Sequence, residues 1–358
     1  MKKSVSLLLT LVLLAFMAAC GKPAAPTESN PVSSEVSVPE ASTTKTVTST
    51  TKAAEKVKIN VTAIAGPTGV GMAQLMAQND AKKTANEYKF NVVTDPSQAV
   101  AAISSGTADI AAVPTNLAST LYKKTGGKVQ VLAVNTLGVL YMLDRTGTVQ
   151  SVQALRGKTI YTSGQGANPE YVLRYVLEKN GLNPDKDVTL RFVADNDALT
   201  GAVVSGQAQV AMVPEPKVTA CLTQMKAAGK TPPAVALNMT EEWNRVADGK
   251  SALMMGCVVA RKAFVEKNPA AVRAFLEEYK TSIQTVNSDV DAAAGWCEKY
   301  GIIPKAAMAK QAIPRCNLTF ETGATMKSRL SGYLKVLYNY NPASVGGALP
   351  TADFYYAG

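Results

Sequence analysis

The chain contains no histidine at all. That absence excludes a Ser-His-Asp triad, a Cys-His dyad, histidine-ligated zinc and haem held by a proximal histidine. Basic clusters are also missing: no Lys/Arg run is longer than two residues, and none is interleaved with aromatics. A nucleic-acid-binding face is therefore not indicated, despite a formal charge of +10. A diffuse positive field favours small anions instead. There is no G-x-x-x-x-G-K-[ST] phosphate loop and no C-x₂-C metal pair. What is present is globular in character, with 47% hydrophobic and 18% charged residues. A length of 358 residues suggests two domains at about 150 residues each.

One long apolar run occurs, Val5 to Phe16, preceded by Lys2 and Lys3. It is too short for a stable bilayer span and reads as the core of an export signal. Met17-Ala18-Ala19-Cys20-Gly21 follows and resembles the lipobox of bacterial lipoproteins. That resemblance implies cleavage before Cys20 and its acylation, which would tether the exported protein to the outer face of the cell membrane. Residues 20 to 56 are rich in Ser, Thr, Ala and Pro without any periodic apolar face. They read as a flexible linker with a reach of roughly 30–36 Å.

The remainder carries an internal duplication. Residues 101–114 read AAISSGTADIAAVP and residues 201–214 read GAVVSGQAQVAMVP, with seven of fourteen positions identical. Each copy predicts a helix end, a Ser-Gly turn and a buried strand ending at proline. Glycine at C′ stops a helix without a Cβ clash, and proline does not continue a central strand. Upstream, a strand at 57–64 runs into Gly66-Pro67-Thr68-Gly69-Val70-Gly71, then an apolar run with Met72, Leu75 and Met76. In the second half, a strand at 158–162 runs into Ser163-Gly164-Gln165-Gly166. Asn168, as N-cap, then opens a helix with Val172, Leu173, Val176 and Leu177 on one face. Strands alternating with helices predict α/β lobes with mostly parallel sheets.

The glycine loops fall at the carboxyl ends of strands, where open α/β sheets bind ligands. Each is followed by a helix whose N–H groups and dipole favour an anion by about 0.3–1 kcal/mol. Two such loops facing one another could clamp one anionic ligand; for either loop alone, a purely structural turn remains an alternative. GPTGVG is not the dinucleotide spacing G-x-G-x-x-G.

GPTGVG, the Pro-Thr-Asn at 114–116, NTLGVLYML at 135–143, the stretch LRGKTIYTSGQGANPEYVLRYVLEKNGLNP at 155–184 and VPEP at 213–216 together resemble the substrate-binding lipoproteins of ABC importers. The nearest branch is that of the nitrate, sulfonate and taurine binders and their thiamine-pyrimidine relatives. The resemblance spans nearly all of residues 57–358. It implies a type II periplasmic-binding-protein fold with two α/β lobes joined by hinge strands and closing on a ligand. Residues 57–143 with 253–358 would form one lobe and 144–252 the other. The implied partners are a small-molecule ligand, an ABC permease and its ATPase; no cofactor, metal or nucleic acid is implied, and a monomer is expected. An enzyme on the same fold, acting in pyrimidine or menaquinone-type biosynthesis, and a tethered sensor are the competing classes. Export and the absent histidine argue against the enzyme.

The expected ligand contacts are Thr68, Gly69, Val70, Thr115, Asn116 and Gly138 from the first lobe, with Ser163, Gly164, Gln165 and Gly166 from the second. Glu215, between two prolines at a strand end, is expected either to pair an ammonium group on the ligand or to form a hinge salt bridge. Tyr141 and Tyr161 could stack on a ring, although core packing is the commoner role. Of the later cysteines, Cys297 and Cys316 form the most plausible disulfide; buried free thiols for Cys221, Cys257, Cys297 and Cys316 are the alternative.

Overall fold

The computed structural model describes residues 56–358. The expected leader, Cys20 and nearly all of the linker lie outside them. Among the described residues no helix is long and apolar enough to cross a membrane.

Two sheets carry the fold. The first contains β1 (Lys58–Ile64), β2 (Glu87–Val93), β3 (Ile110–Pro114) and β4 (Val129–Thr136). The chain then builds the second from β5 (Leu140–Asp144), β6 (Thr159–Ser163), β7 (Thr189–Val193), β8 (Val210–Pro214) and β9 (Ala234–Asn238). It returns to the first sheet with β10 (Gly256–Arg261) and β11 (Leu318–Glu321). The strand orders are β11-β4-β10-β3-β1-β2 and β7-β6-β8-β5-β9.

The helices flank these sheets. Within the first half lie α1 (Pro67–Val70), α2 (Ala73–Asp80), α3 (Pro96–Ser105) and α4 (Thr115–Lys124). The second half holds α5 (Asn168–Lys179), α6 (Asn196–Ser205), α7 (Lys217–Ala227) and α8 (Met239–Val246). After the return come α9 (Lys262–Lys267), α10 (Pro269–Ser288), α11 (Val290–Lys299), α12 (Ala306–Ala312) and α13 (Gly323–Tyr340). The α/β class and its two sheets follow the sequence expectation. The sheets are mixed, however, rather than mostly parallel. β10 pairs antiparallel with both β3 and β4, and β5 with both β8 and β9. In the second sheet β5 alone runs against the other strands; in the first, β10 and the edge strand β11 both do, β11 pairing antiparallel with β4.

The duplication holds at atomic detail. α3 and α6 both end at a left-handed glycine, Gly106 and Gly206, with φ of 82° and 89°. The N–H of Ala108 meets Ala102 O at 3.0 Å, and that of Ala208 meets Ala202 O at 2.9 Å. The registers correspond: Val61 faces Ile110 in one sheet and Ile160 faces Val210 in the other. The likeness also runs further upstream than residues 101 and 201. Asp95 caps α3 through the Ser97 N–H, and Asp195 caps α6 through the N–H groups of Asp197 and Ala198.

Helical periodicity finds the buried faces correctly. The face expected on α5, Val172, Leu173, Val176 and Leu177, is fully buried; α13 likewise buries Met326, Leu330, Tyr333, Leu334 and Leu337. α13 crosses to the second half. Tyr333 packs edge-on to Trp243, and Tyr340 stacks on Tyr171 of α5 with centroids 5.8 Å apart. The carboxyl tail lies on the first sheet: Ser119 donates to Val345 O at 2.7 Å, and Tyr356 N–H to Val131 O at 3.0 Å. All four described cysteines are free and buried, so the Cys297–Cys316 disulfide is not formed. Burial pushes the Cys297 thiol up to about 12, far from the thiolate needed for exchange.

Candidate functional site

A cleft of about 500 Å³ lies where the carboxyl ends of the two sheets' parallel strands face one another. Ile64 at the end of β1 leads into α1; Pro114 ends β3 and caps α4. From the other side Ser163 ends β6, and Pro214 ends β8. The starts of α4 and α5 are thereby presented near a common space, beside the start of α6, where the Asp195 carboxylate already takes the N–H groups of Asp197 and Ala198.

Five of the expected contacts border this cleft: Thr68, Asn116, Ser163, Gly164 and Glu215. The others serve the frame around it. Gly69 and Val70 are buried, because the glycine loop coils into the single turn of α1 rather than staying extended. A Cβ on Gly69 would stand 2.2 Å from Ile64 O, so this glycine serves close packing on its own strand. Thr115 is wholly buried and donates to Met254 O at 2.6 Å. Gln165 and Gly166 lie exposed beyond the rim, where the Gly166 N–H reaches Glu170 Oε2 at 2.7 Å.

Gly138 is a close-approach residue in the first crossing between sheets. A Cβ there would meet Thr240 Oγ1 at 2.3 Å and Leu253 Cδ2 at 2.4 Å. Its carbonyl accepts from Thr240 Oγ1 at 2.9 Å and from Asn317 Nδ2 at 2.5 Å. Gly138→Ala is expected to destabilise by about 2–3 kcal/mol through overpacking. Gly201→Ala, on an open helix face with nothing within 4 Å, should be neutral or stabilise by up to about 1 kcal/mol. Thermal denaturation of the two variants checks the contrast. Equal melting temperatures would remove the packing role of Gly138.

The polar groups in the cleft are few and mostly engaged. Ser163 Oγ donates to Asn196 Oδ1 at 2.6 Å. Asn168 is not the N-cap of α5; that place belongs to Ala167, whose side chain has no cap to offer. The Asn168 amide instead donates across the cleft to Asn116 Oδ1 at 3.1 Å, joining α5 to α4. Its own Oδ1 is buried without a hydrogen-bond partner. Such an atom costs about 1–3 kcal/mol and marks a place for a donor.

Glu215 takes the salt-bridge alternative. Its side chain is 0% exposed and is bonded to Arg315 Nε, while Thr219 gives its N–H at 3.2 Å and its hydroxyl at 3.1 Å. Burial raises the carboxyl's pKa, with Arg315 and Thr219 pulling it back only in part. Tyr141 is buried and its hydroxyl donates to Arg315 O at 2.8 Å; Tyr161 packs half-buried in the same cluster. Both tyrosines serve the core.

Sequence reasoning missed Pro96, Asp195 and Asn196, all at the cleft. The signal was available: extending the duplication upstream pairs Asp95-Pro96 with Asp195-Asn196 as helix starts. The apolar wall of Leu117, Val139, Leu140 and Met255 was missed as well. Among the described residues the cleft wall includes no lysine and no arginine. Among the described residues no group of three or more Cys, Asp or Glu side chains could hold a metal ion.

Similar proteins agree with this architecture. A structure from Parabacteroides distasonis described as an ABC transporter superposes with a TM-score of 0.69 at 22% identity, covering 84% of this chain and 99% of the other. The periplasmic aliphatic sulphonate binding protein SsuA from Escherichia coli gives 0.62 at 14% identity, over 84% and 92%. A ligand-binding component of an ABC-type import system from Staphylococcus aureus, solved with zinc bound, gives 0.59 at 14% identity, over 84% and 97%. At these identities the likeness shows the fold, which is that of periplasmic binding proteins. No curated protein sequence matches the chain. The sequence pattern of one family, described as ABC transporter, phosphonate, periplasmic substrate-binding protein, matches residues 73–296. The chain belongs to that family of ABC-transporter substrate-binding proteins.

Proposed function

We propose that the protein captures a small solute in the cleft between its two sheets and delivers it to an ABC permease driven by its ATPase. Closure of residues 144–252 against residues 57–143 and 253–358 would trap the solute. Acylated Cys20 would keep the protein at the outer face of the membrane, and no chemical turnover is involved. The observation that carries this reading is the cleft itself, about 500 Å³ in volume, ringed by helix N-termini and walled mostly by apolar side chains.

The same wall narrows the solute. Helix N-termini favour one negative charge or a polar head. Without a lysine or arginine at the wall, a doubly charged phosphonate would lack a counter-charge. A monoanionic sulfonate or carboxylate, or a neutral pyrimidine-like ring, on a small apolar body fits better. A hydrogen-bond donor on it would satisfy Asn168 Oδ1.

Thermal-shift measurement tests this. Alkanesulfonates, alkylphosphonates, nitrate, carboxylates, amino acids and pyrimidines would be screened one by one. A ligand at about 100 times its Kd adds about 2.7 kcal/mol, which raises Tm by roughly 5–10 °C. Sulfonates or pyrimidines should shift Tm more than phosphonates. If no solute class moves it, capture in this cleft is wrong, and turnover of a bound compound would favour an enzyme.

A further inference from the structure

We propose that the pole of the first sheet opposite the cleft is a docking surface for an anionic lipid bilayer. Strand direction defines this pole. β1 ends at the cleft with Ile64, so its first residue, Lys58, lies about 20 Å away along the strand. β10 runs the other way and brings Arg261 to the same end, opposite the start of β3. The Lys262 N–H donates to Lys128 O at 2.9 Å, which places the start of β4 beside them. α4 begins at the cleft with Asn116 and ends at this pole with Lys124.

Two adjacent grooves flank Arg261. One, about 450 Å³, includes Lys58 and Lys267; the other, about 520 Å³, includes Lys128 and Lys262. Asp109 pairs with Arg261 and Asp353 with Lys262. Among the described residues, Lys58, Lys124, Lys128 and Lys267 have no ion-pair partner, and all four are exposed. Glu87, opposite Lys58 in the β2 register, and Glu266 are the nearby carboxylates that oppose them. Among the described residues the cleft wall holds no such cation.

The chain enters the described fold at this same pole. Lys56 is exposed there and its ammonium reaches Lys82 O at 3.3 Å. The 35 residues between Cys20 and Lys56 would then connect a membrane anchor to the end that carries the unpaired lysines. A globule resting on this pole holds its cleft towards the medium, open to solute.

Vesicle flotation with residues 21–358, which lack the apolar leader and Cys20, tests the surface without any solute. The expected result is binding to mixed phosphatidylglycerol–phosphatidylcholine vesicles at about 50 mM salt and release at about 0.5 M, where the Debye length shrinks several-fold. Pure phosphatidylcholine vesicles should not bind. A Lys58→Gln, Lys128→Gln, Lys267→Gln variant should bind roughly a hundred-fold more weakly, at about five-fold for each charge. A control with Lys186→Gln, Lys226→Gln and Lys230→Gln loses the same charge from the second half and should stay within about two-fold. Circular dichroism melting near that of the parent keeps a folding defect apart from a binding one. Equal binding to both vesicle types, or an equal loss in the control, overturns the proposal. So does retention of soluble polyglycerol phosphate with no binding to vesicles, which would make the pole a wall-polymer site.

Discussion

Arg315→Met is expected to lower the melting temperature by about 10 °C near pH 7, and by less near pH 5. Arg315 reaches from the return segment to the end of β8, where its guanidinium bonds Glu215 and donates from Nη2 to Thr219 Oγ1 at 2.7 Å. The carboxylate it faces is fully buried. Removing one partner of a buried pair leaves an uncompensated charge, which costs about 3–5 kcal/mol. In a domain of this size each kcal/mol moves Tm by about 2–4 °C. The sign with pH follows from the direction of the shift. Burial already raises the Glu215 pKa above its ordinary value, and losing Arg315 raises it further. An acid with a raised folded pKa is most favourable below its unfolded pKa, and loses that contribution as pH rises through the folded value. The penalty of Arg315→Met therefore grows from acid to neutral pH. Calorimetry of the variant at about pH 5 and about pH 7.5 measures it, and a penalty independent of pH would show that Glu215 does not carry the charge. Adding Glu215→Gln should recover most of the loss at neutral pH, because the orphaned charge is gone.

Asp144→Asn should cost about 3 kcal/mol near pH 7 by a different route. Asp144 ends β5 and is 2% exposed. Its carboxylate accepts from the Thr146 N–H at 2.7 Å, the Thr146 hydroxyl at 2.6 Å, and the N–H groups of Thr148 and Val149 at 2.8 Å each. Burial by itself would raise its pKa. The Thr146 hydroxyl and the three N–H groups outweigh that, and the carboxyl sits below the ordinary range. Bonds to a charged acceptor contribute about 1.5–3 kcal/mol each, and an asparagine turns one acceptor oxygen into a donor facing donors. A depressed folded pKa contributes stability above the unfolded value near 3.8 and loses it as pH falls through the folded value. Urea denaturation should thus show a large gap between parent and variant at neutral pH that closes in strong acid. A gap below about 1 kcal/mol at neutral pH would mean the loop holds itself without this carboxylate.

Much of the fold could be read from local chemistry. Gly106 and Gly206 stop their helices in the left-handed conformation that a C′ glycine supplies, and Pro114 and Pro214 end their strands. The mixed pairing was not legible, because which strand lies beside which is decided by contacts far apart in sequence, such as β10 with β3. The site divides the same way. Ser163 and Asn116, singled out from their place after strands, border the cleft. At Gly138 the sequence allows a close approach without saying of what; in the fold Leu253 and Thr240 make it. Asn168 carries the local pattern of a cap, yet its amide is used across the cleft by Asn116. Arg315 had no local signal at all, since its partner lies 100 residues away.

Pro96 and Asn196, like Pro114 and Pro214, hold the same place in the two copies of one repeating unit, and all four border the cleft. A unit that meets its twin face to face does so about a two-fold axis. The cavity is then equivalent to the interface of a homodimer whose subunits have become one chain, with its midpoint on the pseudo-axis. A molecule bound there is met from opposite sides by the same backbone address. Where the copies have diverged, as proline at 96 and asparagine at 196, the symmetry is broken, and the bound molecule acquires a head and a tail.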